Sequence, residues 1–326
     1  MGTDRLRRLR SEGGGKARKD MAVKTLVTGS LQATEEDLRM LESLGLDVTY
    51  HKDERLPVDR PEQYEIAVGN SLFYYHSAEP FTGLRYLQMT SAGYDRVPVA
   101  LLKERGVLLR NAEGVYSGPM AEWTLMRLLE LVKHARKGLE NQQQGLYKRD
   151  YKWGDLIGKR ALIVGFGKYG QAVAKRLAAF DVSVTIVNRT VRSWPEADGF
   201  YGLEALAGQV GKADFVIMAI ALTDETRHLM DREMFARMKP GAFFLNASRG
   251  GVADEKALAE ALQSGHLAGA ALDVFEEEPL AEGSPLWTLD NVLLSPHNSY
   301  VGDGNHDRMM AMVTRNIREY LAGKQA

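Results

Sequence analysis

Short apolar runs alternate with segments of helical periodicity along most of this chain. Such alternation is typical of βαβ units, in which helices connect the parallel strands of one sheet. The strands predicted for a first lobe are 24–27, 48–50, 66–68, 86–89 and 107–109. Those predicted for a second lobe are 160–164, 183–187, 215–220, 242–245, 268–272 and 292–294. The pattern predicts an α/β protein, and the six later strands suit a doubly wound, dinucleotide-type domain.

Three segments outside these strands carry clear helical signals. Thr34 and Asp37 form a capping-box-like pair before an amphipathic stretch that stops at Gly45. A long helix is predicted over 120–143, with one apolar face that can pack on a core. A last helix over 308–321 follows the second series of strands and is expected to fold back on the first lobe.

Composition narrows the class of protein. The 326 residues leave room for about two domains. Because 42 Lys and Arg balance 43 Asp and Glu, the charge predicts neither a nucleic-acid nor a membrane partner. The absence of cysteine excludes disulfides, thiolate nucleophiles and cysteine-ligated metals. The longest apolar run, Phe215 to Leu222, is far shorter than the roughly 20 residues of a membrane span. A cytoplasmic location is predicted.

Residues 1–20 differ from the rest of the chain. They contain seven Arg or Lys, three Asp or Glu, a run of three glycines, and no apolar stretch of the secretory type. The segment is predicted to be a disordered tail. An Arg-rich organellar presequence is the alternative, and the acidic residues and scarce serines argue against it.

A glycine-rich turn gives the strongest local signal. Gly165-Phe166-Gly167-Lys168-Tyr169-Gly170 follows an apolar strand and precedes a helical segment. In that context the first Gly permits a tight turn, the second lets the backbone approach a pyrophosphate, and the third lets the helix pack on the strand. The helix N-terminus then attracts the phosphates. The alternative is an incidental glycine-rich turn, which the flanking strand and helix disfavour.

The end of the next strand bears on which dinucleotide is bound. An Asp or Glu normally meets the ribose 2′-hydroxyl of NAD there, but this chain has Asn188, followed by Arg189, Thr190 and Arg192. A neutral residue removes repulsion of a 2′-phosphate, and the arginines can form charge-assisted contacts with it. NADP(H) is therefore the preferred cofactor, with NAD(H) as the alternative if the arginines are only a solvated strand end.

Three ionisable residues lie after successive strands of the second lobe: Arg249, Glu278 and His297. Ligands of doubly wound sheets bind outside the carboxyl ends of the strands, so these side chains can converge on a cofactor crevice. The alternative for His297 is an ordinary histidine at a strand end. Glu276 and Glu277 adjoin Glu278, and the alternative for them is a solvated acidic loop.

Several motifs in order resemble the D-isomer-specific 2-hydroxyacid dehydrogenase family. They are Lys239-Pro240-Gly241-Ala242, Asn246-Ala247-Ser248-Arg249-Gly250, the run Asp273 to Pro279, and Ser295-Pro296-His297. The resemblance implies two Rossmann-like or flavodoxin-like lobes with doubly wound parallel sheets. It also implies that a dinucleotide-binding domain, 120–298, is inserted in a substrate domain made of 21–119 and 299–326. A homodimer, joined through the long helix, is implied as well.

The resemblance implies a role for each matching residue. His297 would be the general acid and base, Glu278 would hold its ring and favour the imidazolium, and Arg249 would bind the substrate carboxylate. Substrate contacts are also implied for Gly69, Asn70 and His297. The implied cofactor contacts beyond the glycines are Lys168, Tyr169, Thr226, Ala247, Ser248, Asp273 and Ser299. Asn298-Ser299-Tyr300 stands where the family commonly has small residues, so the nicotinamide pocket departs from the pattern.

The residues and the resemblance together predict an NADP(H)-preferring reductase of a small 2-oxo acid, with glyoxylate or hydroxypyruvate as substrate and no metal. One alternative is a dinucleotide-sensing protein of the same fold that binds partner proteins and has little turnover. Another is a relative of the formate or phosphite dehydrogenases, against which Arg189 argues.

Overall fold

Two parallel sheets organise residues 22–324, the part of the chain that this computed structural model describes. Among the described residues, one unit contains 22–115 together with 303–324. The other unit is Tyr116–Gly302, against predicted boundaries of 120 and 298. The predicted tail, 1–20, lies outside the described residues.

The sheet of the first unit has the order β2-β1-β3-β4-β5, and every neighbouring pair is parallel. This order is that of the flavodoxin-like doubly wound fold. Its strands are β1 Val23–Thr28, β2 Leu46–His51, β3 Ile66–Gly69, β4 Tyr86–Met89 and β5 Leu108–Arg110. Strands β3 and β4 are buried throughout, as expected where a parallel sheet is covered on both faces.

The sheet of the second unit has the order β12-β11-β10-β9-β6-β7-β8, again with parallel neighbours only. It is the Rossmann order with one further strand at an edge. Its strands are β6 Arg160–Val164, β7 Ser183–Val187, β8 Gly199–Tyr201, β9 Phe215–Met218, β10 Phe243–Asn246, β11 Gly269–Leu272 and β12 Val292–Leu294. Six of these confirm predicted strands. The short edge strand β8 was not predicted.

Ten helices cover the two sheets within residues 22–324. They are α1 Glu35–Ser43, α2 Leu72–Tyr75, α3 Val99–Glu104, α4 Ser117–Val132, α5 Ala135–Gln143, α6 Lys168–Ala178, α7 Leu206–Val210, α8 Arg232–Arg237, α9 Glu255–Gln263 and α10 Asn305–Gly323. Along β6, Leu162 and Val164 belong to one apolar cluster while Ala161 and Ile163 belong to another. The two-residue period of a strand thus supplies a core to each face of the second sheet. In residues 22–324 the helices are too short or too polar to cross a membrane.

The capping box of α1 and the placement of the last helix confirm the sequence analysis. The Thr34 hydroxyl accepts a hydrogen bond from the amide of Asp37, and the Asp37 carboxylate accepts one from the amide of Thr34 at 2.8 Å. Helix α10 belongs to the first unit, where His306 Nε2 lies 3.0 Å from Asp37 and Tyr320 donates to Glu65 at 2.8 Å.

The prediction of one continuous helix over 120–143 is wrong. The segment forms two helices, α4 and α5, which are separated at His134. His134 has a φ of 48°, in the left-handed region that ends a helix, and its Nδ1 lies 2.9 Å from the Asp150 carboxylate. The amide of Gly154 donates to the Val132 carbonyl at 3.0 Å, so a later loop completes the end of α4.

Candidate active site

The carboxyl ends of the second sheet carry most of the predicted site residues. The glycine-rich turn follows β6, Asn188 follows β7, Arg249 follows β10, Asp273 follows β11, and His297 follows β12. Because β6 lies between β9 and β7, the strand order reverses beside it. A crevice at that reversal is the usual ligand site of an open parallel sheet.

The three glycines of the turn differ in what an added Cβ would contact. Gly165 has a φ of 99°, and a Cβ there would lie 2.3 Å from the Ala219 carbonyl oxygen. A Cβ on Gly170 would lie 2.5 Å from the Gly165 carbonyl oxygen, so helix α6 packs closely on the turn. A Cβ on Gly167 would meet no atom within 4 Å. Protein packing accounts for the first and third glycines, while the second faces open space at the N-terminus of α6. That geometry fits a dinucleotide phosphate.

The side chains after β7 mainly hold this turn. Asn188 accepts a hydrogen bond from the Phe166 amide at 3.1 Å and donates to the Thr190 carbonyl at 2.9 Å. The Arg192 guanidinium lies over the Phe166 ring, 5.5 Å from its centroid, and donates to the Phe166 carbonyl at 3.1 Å. Arg189 is exposed, and no ion pair within residues 22–324 involves it. Of the two predicted arginines, Arg192 is therefore bonded to the glycine turn, and Arg189 is the one available to a ligand.

His297 and Glu278 form a hydrogen-bonded pair. His297 Nδ1 donates to Glu278 Oε2 at 2.8 Å, and the other carboxylate oxygen accepts from the Phe275 amide at 3.1 Å. Both side chains are partly exposed, at 43% and 37%. No residue of 22–324 forms a hydrogen bond with His297 Nε2. The pairing fixes one ring nitrogen and leaves the other as the atom that can exchange a proton with a ligand.

Asp273 shapes the turn that carries His297. It is fully buried, and its carboxylate accepts hydrogen bonds from the Ser295 hydroxyl at 2.6 Å and from the amides of Asn298 and Ser299 at 3.0 and 2.9 Å. Its carbonyl accepts from the His297 amide at 2.8 Å. These bonds stabilise the positive φ of 49° at His297. The structure thus gives Asp273 and Ser299 a positioning role, and their contact with a nicotinamide stays a prediction.

Asn246 organises the loop that carries Arg249. Its Oδ1 accepts from the Ser248 amide at 3.0 Å and hydroxyl at 2.8 Å, and its Nδ2 donates to the Arg249 carbonyl at 3.0 Å. Arg249 is half-buried and donates to the Ser248 carbonyl at 2.8 Å. The sequence analysis did not assign a role to Asn246, although an Asn at a strand end before Ser is a typical Asx-turn signal.

The other cofactor residues predicted after β9 and β10 are largely buried. Thr226 donates to the Ala221 carbonyl and accepts from the Thr223 amide, both at 2.7 Å, so its hydroxyl closes its own loop. Ala247 and Ser248 are 3% and 8% exposed.

Tyr169, in helix α6 after β6, is also held within the protein. Its phenol lies 2.7 Å from the Thr124 hydroxyl, and burial raises its pKa. Within 22–324, no three His, Asp or Glu side chains are grouped to hold a metal ion.

The backbone amides that follow Gly69 already bind a carboxylate of the same chain. They lie in the first unit, where the amides of Asn70 and Ser71 each donate at 2.8 Å to the carboxylate of Glu54. Thr28 donates to the same carboxylate at 2.6 Å. These amides do bind a carboxylate, but it is the chain's own. A substrate carboxylate at these amides would have to displace Glu54, and substrate contacts of Gly69 and Asn70 stay a prediction.

The comparison with known families agrees with this geometry. The family described as "D-isomer specific 2-hydroxyacid dehydrogenase, NAD binding domain" matches residues 125–299. The chain belongs to this family. Members similar to it include a glyoxylate reductase of Pyrococcus furiosus, 36% identical over 249 residues that cover 74% of each chain. A glyoxylate/hydroxypyruvate reductase B of Citrobacter koseri is 36% identical over 255 residues, 76% of this chain and 78% of the other.

A solved structure of the 2-hydroxyacid dehydrogenase family supports the fold over nearly the whole chain. The D-isomer-specific 2-hydroxyacid dehydrogenase of Xanthobacter autotrophicus, solved with NADPH and MES, is 32% identical with a TM-score of 0.77. The alignment covers 93% of this chain and 96% of that one. The resemblance found in the sequence motifs is confirmed. The protein is an NAD(P)-dependent oxidoreductase of the 2-hydroxyacid dehydrogenase class.

Proposed function

We propose that this enzyme reduces glyoxylate or hydroxypyruvate, with NADPH as the preferred hydride donor. The observation that carries the proposal is the His297–Glu278 pair, at 2.8 Å, on the sheet edge that also holds the open glycine turn. Relatives that are 36% identical bear the names glyoxylate reductase and glyoxylate/hydroxypyruvate reductase, which supports this substrate class.

The chain's own residues divide the work of such a reduction. The glycine turn and the N-terminus of α6 would hold the diphosphate of a dinucleotide, which supplies the hydride when bound. His297 Nε2 donates a proton to the carbonyl oxygen of the substrate and accepts it in the reverse direction. Glu278 keeps the imidazole in one orientation through Nδ1. Arg249 pairs with the substrate carboxylate, a task suited to its planar guanidinium.

The preference for NADPH rests on the strand end after β7. Asn188 is neutral, and both its amide oxygen and its amide nitrogen bond to the protein. No carboxylate therefore stands at this position to repel a 2′-phosphate, and Arg189 is exposed beside it. If Arg189 binds the 2′-phosphate, Arg189→Ala should raise the KM for NADPH roughly tenfold or more and leave that for NADH within about twofold. Equal changes for both cofactors would defeat the assignment.

A steady-state assay tests the reaction itself. NADPH and NADH are compared against glyoxylate, hydroxypyruvate, pyruvate, phenylpyruvate and 2-oxoisocaproate by the absorbance of the reduced nicotinamide. We expect fast turnover with glyoxylate or hydroxypyruvate and a lower KM for NADPH. Tight dinucleotide binding with no turnover on any acid would instead favour the sensing protein.

We further propose that the enzyme is a homodimer. Helix α5 and the loop after it expose large apolar side chains of the second unit: Leu139 at 60%, Tyr147 at 99%, Tyr151 at 84% and Ile157 at 71%. Large apolar side chains exposed along one segment of the chain support a surface that a partner covers. Light scattering should give twice the chain mass, and Tyr147→Asp with Ile157→Asp should give the monomer. A wild-type monomer would contradict the proposal.

The cytoplasmic location stays a prediction.

A further inference from the structure

The carboxylate of Glu276 connects three loops at the edge of the second sheet. These loops follow the adjacent strands β9, β10 and β11. Glu276 Oε2 accepts from His228 Nε2 at 2.7 Å, and Oε1 accepts from the amide of Glu255, the first residue of α9, at 2.7 Å. The amide of Glu276 donates in return to the Glu255 carboxylate at 3.3 Å. Glu276 is thus bonded through side chain and backbone to the two neighbouring loops.

The backbones of the same three loops are also in contact. The amide of His228 donates to the Gly251 carbonyl at 2.9 Å, which joins the β9 loop to the β10 loop. A Cβ on Gly250 would lie 1.8 Å from the Phe275 carbonyl oxygen, so the β10 loop lies directly against the β11 loop. A shift of one loop therefore has to move the others.

The three loops carry residues that the proposed reaction needs. His228 lies two residues after Thr226, in the loop predicted to meet the cofactor. Arg249 precedes Gly250 and Gly251. Glu278 lies two residues after Glu276 and is bonded to the Phe275 amide and to His297. Glu276 is consequently only two residues along the chain from Glu278, the carboxylate that orients His297.

We propose that Glu276 and His228 are positioning residues: their hydrogen bond holds the β11 loop so that Glu278 meets His297, and couples that loop to the cofactor loop. This inference rests on the proposed function. The simpler alternative is a surface pair that contributes little to stability, since the two side chains are 34% and 42% exposed. The bond from the Glu255 amide distinguishes Glu276 from such a pair, because it fixes the carboxylate to the start of a helix.

A matched set of variants separates the two readings. Glu276→Gln removes the charge and Glu277→Gln is the control, because Glu277 is exposed and forms no hydrogen bond or ion pair within 22–324. We expect Glu276→Gln to lower kcat roughly tenfold, and Glu277→Gln to leave it within about twofold. His228→Gln keeps an N–H donor and should retain more activity than His228→Ala.

A double-mutant cycle shows whether Glu276 acts through Glu278. Glu276→Gln should cost roughly tenfold in kcat in the wild-type background but less than about twofold in the Glu278→Gln background. A thermal unfolding scan accompanies each variant. Equal losses in both backgrounds, or a lower Tm with unchanged kcat, would overturn the inference.

A spectroscopic readout does not depend on turnover. Two-bond ¹H–¹⁵N correlation spectra report which nitrogen of a neutral histidine carries the proton, and the His297 signals are assigned by their loss in His297→Asn. We expect the Nδ1–H form in wild type and Glu277→Gln, and a mixture of forms in Glu276→Gln and Glu278→Gln. An unchanged His297 spectrum in Glu276→Gln would contradict the positioning role. If His297→Asn and Glu278→Gln retain full activity, the proposed function fails instead.

Discussion

The carboxyl-terminal edges of the two sheets differ in what lies in front of their glycines. A Cβ on Gly167, after β6, would meet no atom within 4 Å, whereas a Cβ on Gly69, at the end of β3, would lie 2.8 Å from the Glu54 carboxylate. The second edge is open beside a helix N-terminus, and the first is filled by an acidic side chain of the same chain. Strand order locates a crevice, but the side chains around it decide whether a ligand can enter.

The carboxylates at the two edges show the same difference. Glu54 accepts from two backbone amides and from Thr28, so its oxygens bond only to protein. Glu278 accepts from one amide and from His297, whose Nε2 has no hydrogen-bond partner among residues 22–324. One carboxylate is enclosed by protein donors, and the other fixes one nitrogen of a histidine whose second nitrogen stays available.

The largest effect should come from His297→Asn, which removes the proposed proton donor at the open edge. We expect kcat for the preferred oxo acid to fall roughly 100-fold to 10,000-fold. The Kd for the dinucleotide, measured by nicotinamide fluorescence, should change by less than about twofold, because the glycine turn is untouched. A variant that keeps wild-type turnover would remove His297 from the mechanism.

A pair of glycine variants tests the open space directly. Gly167→Ala should keep the wild-type Tm but weaken dinucleotide binding roughly tenfold or more, since its methyl group occupies the space left for a phosphate. Gly165→Ala forces a positive φ and a clash with the Ala219 carbonyl, so it should lower stability by about 1–3 kcal/mol or more. Calorimetry and titration measure both. Unaltered binding in Gly167→Ala would show that the phosphate lies elsewhere.

At the closed edge, Glu54→Ala leaves the amides of Asn70 and Ser71 without their acceptor. We expect a loss of about 1–3 kcal/mol in the free energy of unfolding, measured by urea denaturation. The KM for the oxo acid should change by less than about twofold, with Arg55→Ala as the control on the same loop. A KM several-fold lower would mean that Glu54 competes with the substrate carboxylate, as the predicted substrate contacts of Gly69 and Asn70 require.

The smallest effect concerns the contact between helices α10 and α1 within the first unit, where His306 meets Asp37. Burial alone would raise the pKa of Asp37, but hydrogen bonds from Thr34 and the neighbouring His306 hold it below its ordinary value. A lowered carboxyl pKa stabilises the fold above the unfolded-state value, near 4, and that contribution is lost as the pH falls through the folded-state pKa. Asp37→Asn should cost about 1 kcal/mol at neutral pH and less at about pH 3. A cost independent of pH would contradict this.

The sequence predicted the elements whose signals are local. Parallel strands buried on both faces appear as continuous apolar runs, so β6, with its buried run 161–164, was placed at its observed bounds. The motifs placed Arg249, Glu278 and His297 at strand ends, and the structure joins the latter two directly. The break at His134 has no Gly or Pro to mark it, and the edge strand β8 is too short to show a period.

What the sequence could not provide are contacts between distant residues. Glu54 lies 16 positions before the amide of Asn70, and nothing near either residue indicates that they meet. The resemblance selected Glu278, but nothing in the sequence separates Glu276 from Glu277. The fold does so by bringing His228 from 48 positions away to Glu276. Asn188 stands at the predicted cofactor position, and its amide oxygen accepts a hydrogen bond from the glycine turn.

Isotope transfer tests the central claim most directly. NADPH that carries deuterium at the transferable C4 position is incubated with hydroxypyruvate and the wild-type enzyme, and the glycerate is analysed by mass spectrometry and on a chiral column. The account predicts D-glycerate with the deuterium at C2, and almost no product with His297→Asn. Product without deuterium at C2, or equal product from the variant, would contradict hydride transfer with His297 as the proton donor.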